Sequence, residues 1–464
     1  MKDLRSFLED LEERAPEEVF RVRREVDPEF GPVAIARKLQ AENRWPVVYC
    51  EKVKGSRFPI VSSRLVDTLR KQSIAFATPE AKLRDEIVRR LAAPIPPRIV
   101  ESGPIKDVIL KGDDIDIGML PIVKHAELDA APYITAGITT VKNPETGKQN
   151  CGVYRLMYKG EKRRLGFFFL GDSIETKHIY YLREQADEPM EVAVFLGHHP
   201  AVFMGSVFAG PSSAPTGICN EYGLIGGLLQ EPLEVVKCET VDLYVPAYAE
   251  IVIEGVVPPH HREPEAPFGE YHKYYGLQRQ SPVLEITAIT HRRDARYQNI
   301  PMADIRLPRG PIDLRPIALY QKVKELIPQL LDVRFLNVGM AVLKIRTEFD
   351  GLAKQAGLAA LGAAFRPTYV IVVDEDIDIH NTDEVLWAVA TRTKPSLDFC
   401  FINDVYTNVL EVSGYTIRSR AEPNGLNTKV LIDATKTVEA PFPARAEVPR
   451  RLWENLDLEA LSEP

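Results

Sequence analysis

Residues 241–257, VDLYVPAYAEIVIEGVV, and 283–293, VLEITAITHRR, decide the fold class. Both are rich in β-branched and aromatic residues and are flanked by Pro/Gly loops, which is how strands read in a sequence. They mark 107–311 as a central, mostly-β domain. Toward the N-terminus the pattern changes: Leu4, Phe7, Leu8 and Leu11 recur at helical spacing up to Pro16, 33–40 is helical, and 45–53 reads as a strand. Residues 1–106 thus form an N-terminal α/β module. Its last helix opens at Thr78-Pro79-Glu80, carries Leu83, Ile87 and Leu91, and ends in AAPIPPR.

Beyond the loop RLPRGPIDLRP, residues 317–331 read as a helix, placing a linker helix at 312–331. A strand at 333–346, a helix at 352–365, a strand at 368–377 and a helix at 383–392 then suggest a two-layer α/β domain over 332–448. The tail, 449–464, reads as a helix with Leu452, Trp453, Leu456 and Ala460 on one side, suited to docking on a second subunit or on its own domain. The fold class is a multidomain α+β or α/β protein.

The 464 residues are 45% hydrophobic, 27% charged and 8% aromatic, an ordinary globular composition. Lys+Arg 58 against Asp+Glu 66 leaves a net charge of −8 and no field to attract nucleic acid. The acidic N-terminus lacks the apolar core of a secretory signal, and apolar runs such as 166–171 fall short of the roughly 20 residues that span a bilayer. A cytoplasmic protein without a membrane segment is expected. Cys50, Cys151, Cys219, Cys238 and Cys400 are scattered, without a CxxC pair, and suggest neither a disulfide framework nor a thiolate zinc site.

Chemistry concentrates in two stretches. In residues 260–275, HHREPEAPFGEYHKYY, a Pro-Phe-Gly turn separates Glu265 from Glu270. Two carboxylates held close acquire divergent pKa values, one ionised and one protonated, which makes them a proton-transfer pair; a polar turn between strands is the plainer alternative. In residues 143–155 the turn NPETGKQN leads into a strand, on which Asn150 and Arg155 point to opposite faces unless a bulge intervenes. Arg155 needs an anion, either a substrate carboxylate or a protein Glu. Asp374-Glu375-Asp376-Ile377-Asp378 starts like a calcium loop but has Ile379 and Val385 where Gly and Glu are required; it ends a strand and caps the next helix through Thr382 and Asp383. No dinucleotide fingerprint, Walker loop or nucleophile elbow is present.

Read in order, LPIVKHAELDAAPYITAGITTVKNPETGKQNCGVYRL (120–156), GLIGGLLQEPLEVVKCETVDLYVPAYAEIVIEG (223–255), EAPFGEYHKYYG (265–276) and VDEDIDIHNTDEVLWAVATR (373–392) resemble the UbiD-like decarboxylases, which use prenylated FMN. The resemblance implies a split-barrel-like flavin domain at the centre and an ion-pair network of catalytic Arg155, Glu265 and Glu270. It further implies Asn150, His178 and Glu221 as ligands of Mn²⁺ or Mg²⁺ against the cofactor phosphate, with Arg155 also at the cofactor and K⁺ as a further cation. An amide oxygen, an imidazole and a carboxylate make a hard donor set that suits such ions. Removing CO₂ from an sp² carbon needs an electron sink that side chains lack, and a modified flavin provides one.

The function implied is reversible, non-oxidative decarboxylation of an aromatic, heteroaromatic or α,β-unsaturated acid. Arg155, oriented by Glu265, would hold the carboxylate and Glu270 would donate the proton. A carboxylase subunit working in the CO₂-fixing direction and a metal-dependent hydrolase with Glu270 as base are the alternatives. The partners implied are the carboxylic acid and CO₂, a flavin prenyltransferase as cofactor supplier, and further copies of the chain in a dimer or hexamer. Residues 302–321 are charged and proline-rich where many relatives carry an apolar, threonine-rich segment, so the substrate does not transfer from them. His261, Arg262 and His272 read as exposed loop positions.

Overall fold

In the computed structural model the described residues are 2–168, 175–208, 218–302, 314–337, 339–363, 367–406, 426–446, 448 and 452. The tail helix expected over 449–464 lies almost wholly outside them, so its apolar side does too.

The first helix, Leu4–Arg14, starts with a capping box between Asp3 and Ser6 and buries Leu4, Phe7, Leu8 and Leu11. Strands Val19–Val26 and Val47–Val53 pair in parallel, joined by helix Gly31–Ala41, and Ile60–Ser62 adds antiparallel to the second. The fourth strand of this sheet, Tyr297–Asn299, comes from far along the chain and pairs with Ile60–Ser62 in parallel. Helix Leu83–Leu91, entered through a 3₁₀ turn at Glu80–Lys82, packs on helix Asn220–Leu229.

The centre is a ten-stranded sheet running Tyr133–Ile134, Leu156–Tyr158, Arg164–Phe167, Arg279–His291, Ile251–Val257, Met190–Leu196, Ile138–Lys142 and Gln149–Val153; Val108–Lys111 and Arg262–Glu265 also pair with Arg279–His291. Its two ends do not pair with each other, so the described strands form no closed barrel. Met190–Leu196 shows why its strands read as apolar runs. Ala193 and Phe195 enter one core, Met190, Val192, Val194 and Leu196 the other, and only Glu191 is partly open to water.

The C-terminal sheet has the order Leu330–Phe335, Met340–Ile345, Tyr369–Asp374, Leu426–Ala434 and Phe399–Tyr406. Helices Leu314–Leu326 and Leu352–Leu361 cover one face, and Thr382–Arg392 extends the layering to the other with Val385 and Ala388. Three sequence expectations are corrected. The helix expected over 317–331 ends at Leu326, since Pro328 cannot continue it and Leu330 already belongs to a strand. The strand expected over 333–346 is an antiparallel hairpin, with the Asn337 side chain accepting the Gly339 N–H in the turn. The cap of Thr382–Arg392 is Asn381, while Asp383 supplies acidic charge in the first turn. No helix among the described residues is long and apolar enough to cross a membrane.

Candidate active site

Arg155 follows strand Gln149–Val153, and its guanidinium lies over two aromatic rings, with Cζ 3.9 Å from the Phe168 centroid and 4.8 Å from that of Phe268. Nε and Nη2 each donate to Glu265 at 2.8 Å, a bidentate fork, and Nη1 donates to Glu270. The three side chains keep 8%, 1% and 4% of their surface exposed. Glu265 ends strand Arg262–Glu265, next to Ala266 at φ 74° and the cis Ala266–Pro267 peptide. The short hairpin of Phe268–Gly269 and Tyr275–Gly276 then sets Glu270 in its turn, with the Glu270 N–H on the Tyr274 carbonyl at 3.0 Å.

A second segment clamps this hairpin. Asp129 Oδ1 accepts the Gly269 N–H at 2.7 Å, and its Oδ2 accepts those of His125 and Ala126 at 3.1 and 2.8 Å. The Ala130 N–H reaches the Pro267 carbonyl at 2.9 Å, and the Leu128 N–H the Tyr275 hydroxyl at 3.0 Å. Tyr133 lies against Phe268 with centroids 4.3 Å apart. Asp129 and Phe168 escaped the sequence reading: an Asp in an ELDAAP turn and a Phe in an apolar run carry no local sign of what they touch.

One guanidinium faces two carboxylates here, so the cluster favours holding a proton. Desolvation, reinforced by Glu265 and opposed by Arg155, raises the Glu270 pKa to about 7. Burial works against the charge on Arg155, yet its hydrogen bond to Glu265 and the two carboxylate charges raise its pKa further. Desolvation also raises Asp129, although three backbone N–H groups face it.

Asn150 lies on strand Gln149–Val153, and the helices that carry His178 and Glu221 pack on that strand. Asn150 Nδ2 donates to Thr176 Oγ1 at 2.9 Å, and the Tyr154 hydroxyl reaches the same oxygen at 3.0 Å. Thr176 lies in the first turn of helix Glu175–Gln185, two residues before His178, whose side chain is exposed. Glu221 stands in the first turn of helix Asn220–Leu229, tied to the strand by a Gln149–Cys219 bridge and by the Gln149 N–H on the Ile218 carbonyl at 2.7 Å. Its carboxylate takes a hydrogen bond from Cys219 Sγ at 3.1 Å, and burial raises its pKa. The donors are of the kind a hard divalent ion takes: with Nδ2 committed to Thr176, the Asn150 amide oxygen would be the atom left to coordinate, and Glu221 would add a carboxylate. Of the flanking positions, Arg262 forks onto Glu184 at 2.7 and 2.8 Å, and His261 lies beside Arg164 and Glu263, so both are engaged with the protein. A cleft of about 850 Å³ lies in the C-terminal domain, lined by Trp387, Arg392, Lys436 and Arg445, and none of the site residues borders it.

Residues 8–91, 98–304 and 314–434 match the N-terminal, Rift-related and C-terminal domains described for 3-octaprenyl-4-hydroxybenzoate carboxy-lyase, UbiD. The structure is similar to the UbiD-class enzyme HmfF of Pelotomaculum thermopropionicum in complex with FMN, at 34% identity over 99% of both chains and a TM-score of 0.84. An evolved dimeric form of HmfF in complex with prFMN matches at 33% identity over 99% of this chain and 100% of that one, with a TM-score of 0.82. The closed form of vanillic acid decarboxylase from Sedimentibacter hydroxybenzoicus aligns at 27% identity over 100% and 99% of the two chains, with a TM-score of 0.84. With all three domains matched in order and a third of its residues shared with a UbiD-class enzyme from end to end, the chain belongs to the UbiD family.

Proposed function

We propose that this protein catalyses the reversible, non-oxidative decarboxylation of an aromatic, heteroaromatic or α,β-unsaturated carboxylic acid with prenylated FMN. The observation that carries the reading is the buried Arg155–Glu265–Glu270 network with its single excess proton site. Glu265 fixes the guanidinium of Arg155 in plane, so that Arg155 binds the substrate carboxylate without reorganising. Glu270, raised to about 7, holds a proton on its carboxyl near neutral pH and delivers it to the carbon that loses CO₂. In the CO₂-fixing direction the same carboxylate removes that proton.

Prenylated FMN, when bound, supplies the electron sink for the departing carboxylate. Asn150, His178 and Glu221 would hold Mn²⁺ or Mg²⁺, whose positive charge would offset the cofactor phosphate, with K⁺ as a further cation. A flavin prenyltransferase supplies the cofactor, and the chain works as a homo-oligomer, a dimer or a hexamer. The FMN and prFMN complexes of HmfF support the cofactor assignment. The contact between Glu270 and Arg155 favours a decarboxylase over a hydrolase, whose general base would face a metal-bound water instead.

The test is Glu270→Gln, in protein co-expressed with a flavin prenyltransferase and assayed on a panel of aromatic, heteroaromatic and α,β-unsaturated acids. Gln keeps size and hydrogen bonding but cannot donate the proton. Turnover and solvent-deuterium incorporation are expected to fall by about 10²- to 10⁴-fold with flavin and Mn²⁺ retained. A variant within a few-fold of wild type, or one that loses its metal, would overturn the assignment.

A further inference from the structure

Cys151 and Cys219 are far apart in the sequence, and the fold brings them together. Cys151 sits in the middle of strand Gln149–Val153, and Cys219 caps helix Asn220–Leu229, which the Gln149–Cys219 bridge holds against that strand. Both thiols are buried and neither is in a disulfide. The two Sγ atoms and a Glu221 carboxylate oxygen all lie within 4.8 Å of one another. Cys219 Sγ is 3.1 Å from Glu221 Oε2, and Cys151 Sγ is 3.6 Å from Ser206 Oγ.

Four-coordinate zinc takes thiolate at about 2.3 Å, which sets tetrahedral ligand atoms about 3.8 Å apart. The three donors lie within about an ångström of that spacing at most, with the Cys219–Glu221 pair already inside it at 3.1 Å, so small side-chain rotations let them share one ion. Two sulfurs make the set soft, unlike the oxygen and nitrogen donors proposed for Mn²⁺. The N-terminal turn of the helix, which carries Glu221, favours the negative charge such a ligand set brings.

We propose that Cys151, Cys219 and Glu221 form a binding site for one thiophilic divalent cation, Zn²⁺ or Cd²⁺, distinct in chemistry from the Mn²⁺ site and sharing Glu221 with it. Binding forms two metal–sulfur bonds and one metal–oxygen bond and releases the two thiol protons to solvent; nothing is oxidised or reduced. Drawn toward the two sulfurs, the Glu221 carboxylate is less available to a hard ion, so the soft ion competes with Mn²⁺ for it. The soft site stands on the cluster alone, and only this competition rests on the proposed function.

The experiment titrates Cd²⁺ into the full-length protein, stripped with chelator and kept reduced by a phosphine, and follows thiolate-to-cadmium charge-transfer absorption. One Cd²⁺ per chain is expected. Cys151→Ser and Cys219→Ser should each lose about half the band or more and bind at least about tenfold more weakly, while Cys50→Ser and Cys238→Ser keep both. X-ray absorption of the Zn²⁺-loaded wild type, which needs no variant to fold, should show two sulfurs at about 2.3 Å. A band that survives both substitutions, or a zinc shell without sulfur, overturns the proposal. Should Cd²⁺ bind as described to a protein that never takes Mn²⁺, the Mn²⁺ assignment fails and the soft site stands. Mn²⁺ binding without any sulfur-ligated Cd²⁺ overturns the soft site and leaves the Mn²⁺ assignment standing.

Discussion

Asp129 holds the backbone N–H of Gly269 at 2.7 Å and thereby fixes the residue that precedes Glu270. The same carboxylate satisfies the N–H groups of His125 and Ala126, so one side chain ties two loops together. Asp129→Ala strands those donors in a buried site and is expected to cost about 2–4 kcal/mol in urea unfolding. With the hairpin loosened, kcat should fall by about 10²-fold. Asp129→Asn, which keeps an acceptor for Gly269, should recover part of both losses.

Glu265 acts on Glu270 through its charge as well as on Arg155 through its fork. Glu265→Gln leaves Arg155 with one carboxylate and removes a like charge that raises the Glu270 pKa. Breaking a buried pair in this way is expected to cost about 3–5 kcal/mol, read as a lower denaturation midpoint. The Glu270 pKa should drop, so that decarboxylation, which in the proposed mechanism needs neutral Glu270, should decline at lower pH than in wild type. A pH–rate limb that stays in place would show that Glu265 only positions Arg155.

Stability carries its own signature of Glu270. Its carboxyl titrates at about 7 in the native protein, against 4.5 for the ordinary side chain, so the native state binds the extra proton between those values. Stability therefore falls as pH rises from about 4.5 to about 7, and the cost is constant above that. In urea titrations across this window, Glu270→Gln should remove that component of the slope. An unchanged slope would assign the dependence to other groups.

Much of the fold was legible in the sequence because apolar periodicity reports burial directly. Leu4, Phe7, Leu8 and Leu11 are all buried as their spacing predicts, and Ile251–Val257, read as a strand, is buried along nearly its whole length. Boundaries were harder to read where strand and helix formers mix, as at 317–331, or where a turn marked by Asn337 and Gly339 hides in an apolar run. In the site, Glu265 and Glu270 were visible as a pair of acids around a rigid turn. Asp129, Thr176 and the Cys151–Cys219 approach were not, since each depends on contacts between segments distant in sequence.

Helix Asn220–Leu229 links the N-terminal module to the proposed metal site. Gly223 accepts the Ile95 N–H at 3.0 Å, and a Cβ on Gly226 would fall on the Ile95 carbonyl oxygen. Gly226→Ala should therefore destabilise the protein by about 1–3 kcal/mol through overpacking, against the roughly 1 kcal/mol that Ala gains in helix propensity. Because the helix carries Glu221 in its first turn, Mn²⁺ affinity should fall with it. Thermal unfolding and electron spin resonance of free Mn²⁺ read the two effects.

His178 offers the cleanest test of the hard-metal set. Its side chain is exposed, so His178→Ala removes an imidazole without opening a cavity, and the unfolding midpoint should stay within about 0.5 kcal/mol of wild type. Thr176, two residues earlier, still anchors the helix to Asn150 and Tyr154. Under the proposed assignment, loss of one of three ligands should nevertheless weaken Mn²⁺ binding by at least about tenfold and lower flavin occupancy in parallel, because the ion would join the protein to the cofactor phosphate. Metal analysis and the absorption spectrum of the purified variant measure both. A variant with wild-type flavin and no Mn²⁺ would separate the two and leave the phosphate held by other residues, and one with wild-type Mn²⁺ would remove His178 from the ligand set.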